Sequence, residues 1–235
     1  MGVMLPAAAN VVITGTRVIY PGQEKDVSVH LRNQGSQPVL VQVWLDEYAR
    51  PQAAEAATDI PFVVMPPVFR MEPYEGQSVR IVYTQEPLPL DRESLFQFNV
   101  LEVPPSPEAT HKNYVQLAFA SKLKFFFRPS GLMGSAAEAV AQLRWTAPSA
   151  RALQVVNPTP FHVSISAIRT EGAGSVYGDA YADEGVVVPP LSTVVIAVHR
   201  NLLPLGPSAE GRALTFTYIN DYGVAKVHDA TLAHP

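Results

Sequence analysis

The chain of 235 residues contains no cysteine. Disulfide scaffolds, thiolate zinc sites and cysteine nucleophiles are thereby excluded. The absence does not fix the compartment, because a well-packed domain of ordinary size needs no disulfide even in an oxidising space. Charge is also scarce: 16% of residues are charged, the net charge is −4, and no basic block occurs. Phosphate backbones are bound by clustered Lys and Arg, so no nucleic-acid partner is expected. No apolar run approaches the roughly 18 residues that a spanning helix requires, so membrane insertion is not expected. The six histidines (His30, His111, His162, His199, His228, His234) are scattered, with no close pair of the kind a zinc site uses. Asp179, Asp183 and Glu184 cluster, but they lack the alternating oxygen donors of a calcium loop. EGAGS is not followed by GK[ST], no GxSxG elbow appears, and no Ser/His/Asp set stands out. The sequence therefore predicts a protein without catalysis, metal or cofactor.

Hydrophobic residues make up 47% of the chain, enough for a sizeable core, and 22 prolines and 14 glycines punctuate it without a repeat period. Short alternating segments between such punctuation predict an all-β protein. Strands are expected over 11–20, 25–32, 39–48, 62–65, 77–84, 95–103 and 114–127. A second set follows over 153–156, 161–168, 186–188, 193–198, 213–219 and 224–232. The strand spacing is that of immunoglobulin-like sandwiches. The one helical pattern is 135–143, SAAEAVAQL. Pro66-Pro67 marks a place for a cis bond. These segments divide the chain into a terminus over 1–10, a first domain over 11–128, a linker over 129–134 and a second domain over 135–235. Small residues at Ala7, Ala8 and Ala9 read as the stub of a removed signal or as a disordered terminus.

The stretch NYVQLAFASKLKFFFRP, from Asn113 to Pro129, carries the most information. Val115, Leu117 and Phe119 alternate with Gln116, Ala118 and Ala120, and the row then meets Lys122, Lys124, three phenylalanines and Arg128. Period two reads as a strand with one apolar face. Two uses of that face stand open. It can lie in the core of its own sandwich, or it can add to a partner's sheet while a cation at the strand's end holds a carboxylate.

Charged groups also gather around LPLDRESLFQFNVLEVPP, from Leu88 to Pro105, and in YINDYG, from Tyr218 to Gly223. An acidic-basic-Glu-Ser run leading into a strand that ends Val-Pro resembles the signature of the periplasmic pilus and fimbrial chaperones of the chaperone–usher pathway. Gln97 stands where an aromatic residue is expected, a departure that touches no function. ITGTRVIY, MPPVFRMEP, SKLKFFFRP, NPTPF and YINDYG fall in the order that family uses, so the resemblance covers nearly the whole chain.

The resemblance implies two tandem immunoglobulin-like β-sandwich domains in an L-shaped arrangement, in the periplasm, with no catalysis. It implies a chaperone that binds, stabilises and caps pilus subunits by donor-strand complementation and delivers them to an outer-membrane usher. Carried over by motif, Arg17 and Lys124 are the cations for the subunit's terminal carboxylate, with Lys122 as the fallback. Val115, Leu117 and Phe119 form the donor row, and Glu93, Arg128 and Asp221 an interdomain charge network. The short loop over 104–112 and the missing cysteine pair resemble the short-loop class of the family. An exposed donor strand would also favour weak self-dimers or a sequestered strand in the free state. Phe119 and Lys124 are an odd number of residues apart, so a bulge or strong twist is expected between them if both serve one partner. Two rivals remain on the residues alone. A structural or adhesive pilus module would share the fold without a cation pair. A β-sandwich hydrolase would need a carboxylate pair or triad, and neither is visible.

Overall fold

A computed structural model of the chain describes residues 10–48, 60–106, 116–149, 151–170, 174–177, 185–198 and 210–234. The architecture is all-β and falls into two compact units: Met1–Leu88 with Ser94–Arg128, and Pro89–Glu93 with Pro129–Pro235. Each is an immunoglobulin-like sandwich with its own core.

The first unit holds nine strands in its described part: β1 (Val11–Ile13), β2 (Arg17–Pro21), β3 (Asp26–Asn33), β4 (Val39–Glu47), β5 (Phe62–Met65), β6 (Val68–Met71), β7 (Gly76–Tyr83), β8 (Ser94–Val103) and β9 (Phe119–Arg128). They form two sheets in the orders β1-β3-β7-β5 and β2-β9-β8-β4-β6. Alternation along each strand sends one set of side chains inward. Val29 and Leu31 of β3, Val41 and Val43 of β4, Val79 and Ile81 of β7 and Phe98 of β8 meet in one buried cluster. Rings of Tyr20, Phe62, Tyr83, Phe96, Phe125 and Phe127 pack edge-on or tilted at one end of it, with Phe62–Phe125 at 5.0 Å between centroids. Such pairs are worth about 0.5–1.5 kcal/mol each beyond their buried area. The Tyr20 hydroxyl accepts a bond from the Tyr83 amide at 3.2 Å, and burial holds its pKa above the usual tyrosine value. Glu102, at the end of β8, is buried and accepts from the amides of Asn10 and Val11 at 2.9–3.1 Å, tying the start of β1 to β8. Charge-assisted bonds of this kind are the stronger ones in a fold.

The segment 11–20 is not one strand. Thr14, Gly15 and Thr16 break it, and β1 and β2 belong to different sheets. Gly15 adopts φ +93°, a conformation that residues with a Cβ rarely take. The switch sets Arg17 at the head of β2, which runs parallel to β9. The described part of the expected 114–127 strand begins at Phe119; Gln116, Leu117 and Ala118 are not in a strand. The expected bulge between Phe119 and Lys124 is absent. β8 and β9 pair without interruption from Ser94↔Phe127 to Glu102↔Phe119. An unbroken register leaves Phe119 and Lys124 on opposite faces.

The second unit opens with a short helix, α1 (Ala136–Ala139), capped by the Ser135 side chain, which accepts from the Glu138 amide, and followed by a 3-10 turn over Val140–Gln142. Its strands are β10 (Arg144–Ser149), β11 (Ala152–Asn157), β12 (Val163–Thr170), β13 (Gly174–Tyr177), β14 (Val186–Val188), β15 (Ser192–Ala197), β16 (Ala213–Ile219) and β17 (Ala225–Ala233). They make one hydrogen-bonded sheet in the order β13-β12-β16-β17-β10-β11-β15, with β14 on β12. Trp145, Leu153, Ile165, Ile168, Leu214 and Phe216 fill its core. The strands β6, β10 and β13 were not expected from the sequence. β6 is four residues long and directly follows Pro66-Pro67, and the peptide before Pro66 is cis. In β10 Trp145 and Ala147 are buried, Arg144 is exposed, and Pro148 lies within the strand.

The Gly15 bend yields the first test. Gly15→Val should lower first-unit stability by roughly 1–2 kcal/mol, because a β-branched residue is strained at this φ. Urea unfolding of the purified chain measures it. An unchanged midpoint would mean that the strand switch does not depend on glycine.

Candidate functional site

The parallel pairing of β2 with β9 runs from Arg17↔Lys124 to Pro21↔Arg128. Directly paired residues point to the same face of a sheet. Val18, Tyr20, Phe125 and Phe127 join the core, so Arg17 and Ile19 lie on the opposite face with Lys124 and Phe126. The two cations assigned to one role by sequence are thus direct neighbours in space. Lys122, the fallback, sits opposite Asn99 and has no β2 residue beside it. Across the sheet the same level continues from Lys124 to Gln97 and then to Asp46. Gln97 Nε2 donates to Asn99 Oδ1 at 2.7 Å, which gives the row beside the cations an amide character. Like charges placed directly opposite destabilise a sheet. A carboxylate held between two cations gains charge-assisted hydrogen bonds, each worth about 1.5–3 kcal/mol.

β2 ends its cover of β9 at Lys124. From Phe119 to Leu123, β9 pairs with β8 on one side, and no described strand pairs with the other. The apolar face that is core at Leu123, Phe125 and Phe127 continues outward through Phe119, which is half-buried. Leu117, two residues earlier, is 51% exposed. Val115 lies outside the described residues.

The three residues expected in a charge network belong to three different segments. Arg128 closes β9, and its carbonyl accepts from Gly22 at 2.6 Å. Asp221 sits in the β16–β17 turn, where Asn220 Oδ1 accepts from the amides of Tyr222 and Val224. Glu93 belongs to the second unit, in the segment Pro89–Glu93. It is almost fully buried there. One carboxylate oxygen accepts from the His162 backbone amide at 2.7 Å and lies 3.1 Å from His162 Nδ1, while the Glu93 amide donates to the Pro160 carbonyl at 3.0 Å. Asn157, the first residue of NPTPF, shapes that turn: its side chain donates to the Phe161 and Pro189 carbonyls and accepts from Thr159. The motif thus positions Pro160 and His162 to receive Glu93.

Sequence reasoning noted Gln97 only as a departure and missed its bond to Asn99, although the alternation LFQFNV sets both on the face opposite Phe96 and Phe98. It also missed the Glu93–His162 contact, for which no local signal existed, since 69 positions separate the two. Among the described residues no group of His, Cys, Asp and Glu could hold a metal ion, and no helix is long and apolar enough to cross a membrane. Asp179, Asp183 and Glu184 lie outside the described residues.

Residues 10–133 match the model described as "Pili and flagellar-assembly chaperone, PapD N-terminal domain", and residues 138–230 that of "Pili assembly chaperone PapD, C-terminal domain". The chain belongs to the PapD family of pili assembly chaperones. It is 38% identical over 229 residues to the chaperone protein HifB of Haemophilus influenzae, covering 95% of this chain and 88% of that protein. The chaperone protein MrkB of Klebsiella pneumoniae is 37% identical over 221 residues, covering 92% of this chain and 88% of that protein. The crystal structure of the YadV chaperone superposes with a TM-score of 0.78 at 38% identity, covering 95% of this chain and 100% of that chain. The SafB chaperone in complex with the SafA pilin, from Salmonella enterica, gives 0.76 at 27% identity, covering 97% of this chain and 99% of that chain. The members of this family are chaperones, not enzymes.

The Glu93 contact makes a prediction specific to the second unit. Glu93→Ala should cost roughly 2–4 kcal/mol, because it removes the acceptor from a buried amide and imidazole. Glu93→Gln, which keeps an acceptor oxygen, should cost less. Thermal unfolding of the three proteins ranks them, and equal stability of all three would show that the contact contributes nothing.

Proposed function

We propose that this chain is a periplasmic chaperone that binds, stabilises and caps pilus subunits by donor-strand complementation and hands them to an outer-membrane usher. The observation that carries the reading is the Arg17–Lys124 pair standing where the edge of β9 loses its cover. An extended partner that lacks one strand of its own sandwich can add to this open edge through backbone hydrogen bonds. The apolar face of Leu117 and Phe119, with Val115 beyond the described residues, would enter the partner's groove. The cation pair would hold the partner's terminal carboxylate and so set the register, since a slip by one residue turns the whole row away. No bulge is required. The lysine meets the carboxylate from one face, and the donor row works from the other. The SafB–SafA complex supports a pilin as the partner class. In the absence of a subunit the same edge would favour weak pairing with a second copy.

Glu93, Arg128 and Asp221 enter the proposal as a charge network that sets the angle between the domains. Asp221→Asn should then broaden the interdomain distance distribution measured by small-angle scattering, while each domain keeps its own core. An unchanged distribution would remove Asp221 from that role.

The carboxylate anchor is tested by co-expression with pilus subunits and recovery of a soluble one-to-one complex. Arg17→Ala and Lys124→Ala should keep the native circular dichroism and lose the complex. Leu117→Asp should change stability by no more than about 0.5 kcal/mol, as expected of an exposed site, yet weaken the complex. Normal complex formation by both cation variants would overturn the anchor. A loss of several kcal/mol in Leu117→Asp would place Leu117 in the chaperone's own core.

A further inference from the structure

We infer that Tyr48 and Phe126 are positioning residues for the anchoring cations, each ring holding one of them in a fixed direction. The inference rests on the carboxylate-anchor reading above and extends it to two residues outside the cation pair. The Arg17 guanidinium carbon lies 5.5 Å from the centre of the Phe126 ring, and Lys124 Nζ lies 5.7 Å from the centre of the Tyr48 ring. Both distances are within the range, about 6 Å, at which a ring face attracts a cation.

The placement of the rings gives the contacts a purpose. Phe126 is opposite Ile19, two residues further along β9 than Lys124, so its attraction draws Arg17 along the strand. Tyr48 follows the end of β4, beyond Asp46, with β8 lying between β4 and β9. Its attraction draws Lys124 across the sheet. The two cations begin as register neighbours and are led in different directions. Rings in different directions favour separated heads, an arrangement suited to an anion held by both. Arg and Lys side chains carry large rotamer entropy, and a partner that must order them loses affinity. Rings that order them beforehand reduce that loss. Packing holds the rings themselves in place, since Phe126 is 3% exposed and Tyr48 is half-buried. The ligand class that such a spread pair recognises is a main-chain terminal carboxylate at the end of an extended peptide, one oxygen to each cation.

The test uses the full chain and two synthetic extended peptides of alternating valine and threonine, one ending in a free carboxylate and its twin in a carboxamide. Affinity is read by fluorescence anisotropy. The native protein should prefer the carboxylate. Tyr48→Phe, which keeps the ring, should bind both peptides as the native protein does. Tyr48→Leu should bind the carboxylate peptide about two- to fivefold more weakly, the loss of one such contact, and the carboxamide peptide equally well. In a Lys124→Gln background Tyr48→Leu should produce no further loss, because a ring acting through Lys124 has nothing left to position. The same cycle applies to Phe126→Leu with Arg17→Gln. If Tyr48→Leu does not fold, Tyr48→Met takes its place. Equal losses for both peptides, or losses that add to that of Lys124→Gln, would overturn the inference and leave the anchor standing. No preference for the carboxylate by the native protein would overturn the anchor and the inference together.

Discussion

Five residues of β2 lie along five residues of β9, and the place where that pairing stops governs the rest of the first domain. Below Lys124, β9 is an interior strand, paired on both sides and packed into an aromatic cluster. Above it, no described strand pairs with the other side of β9. An edge with an apolar face is normally a liability, and proteins shorten, charge or cover it. Here Lys122 and Lys124 supply charge, and under the function proposed above the edge would be kept for a partner's strand. The cation pair and the open edge are two consequences of one pairing length.

That length is set by local chemistry several residues away. Gly15 allows the chain to leave one sheet and enter the other, and Arg17 is the first residue after the switch. The Glu102 carboxylate holds Asn10 and Val11, so the segment before the switch is fixed as well. Tyr20 then locks β2 among Phe62, Tyr83, Phe125 and Phe127. Neither β1 nor β2 is long, and neither would be placed by its own propensity. Tertiary packing and one buried carboxylate place them.

Much of this was legible in the sequence. Alternation at period two gave most strands, but of the expected row before Lys122 only Phe119 lies in β9, and Leu117 precedes it. Arg17 and Lys124 were reached through family motifs; their adjacency was not readable, because it depends on a parallel register between segments more than a hundred residues apart. The strand switch at Gly15 was hidden by an unbroken β-like pattern from Val11 to Tyr20. The expected bulge failed for a related reason. It assumed that the lysine and the donor row must share a face, whereas a strand added at an edge uses its two faces for different contacts. Glu93 was placed in a network by motif; its contact with His162 depends on the turn that Asn157 builds, and residue type alone does not announce such a contact.

The central claim is that the side of β9 from Phe119 to Leu123, with which no described strand pairs, receives an added strand. Backbone hydrogen exchange of the chain, alone and with a pilus subunit bound, tests it most directly. The account predicts new protection at alternate amides between Gln116 and Leu123, those that β8 does not use, with little change in β3 and β7. Protection confined to the second domain, with the amides from Gln116 to Leu123 exchanging as in the free chain, would contradict it.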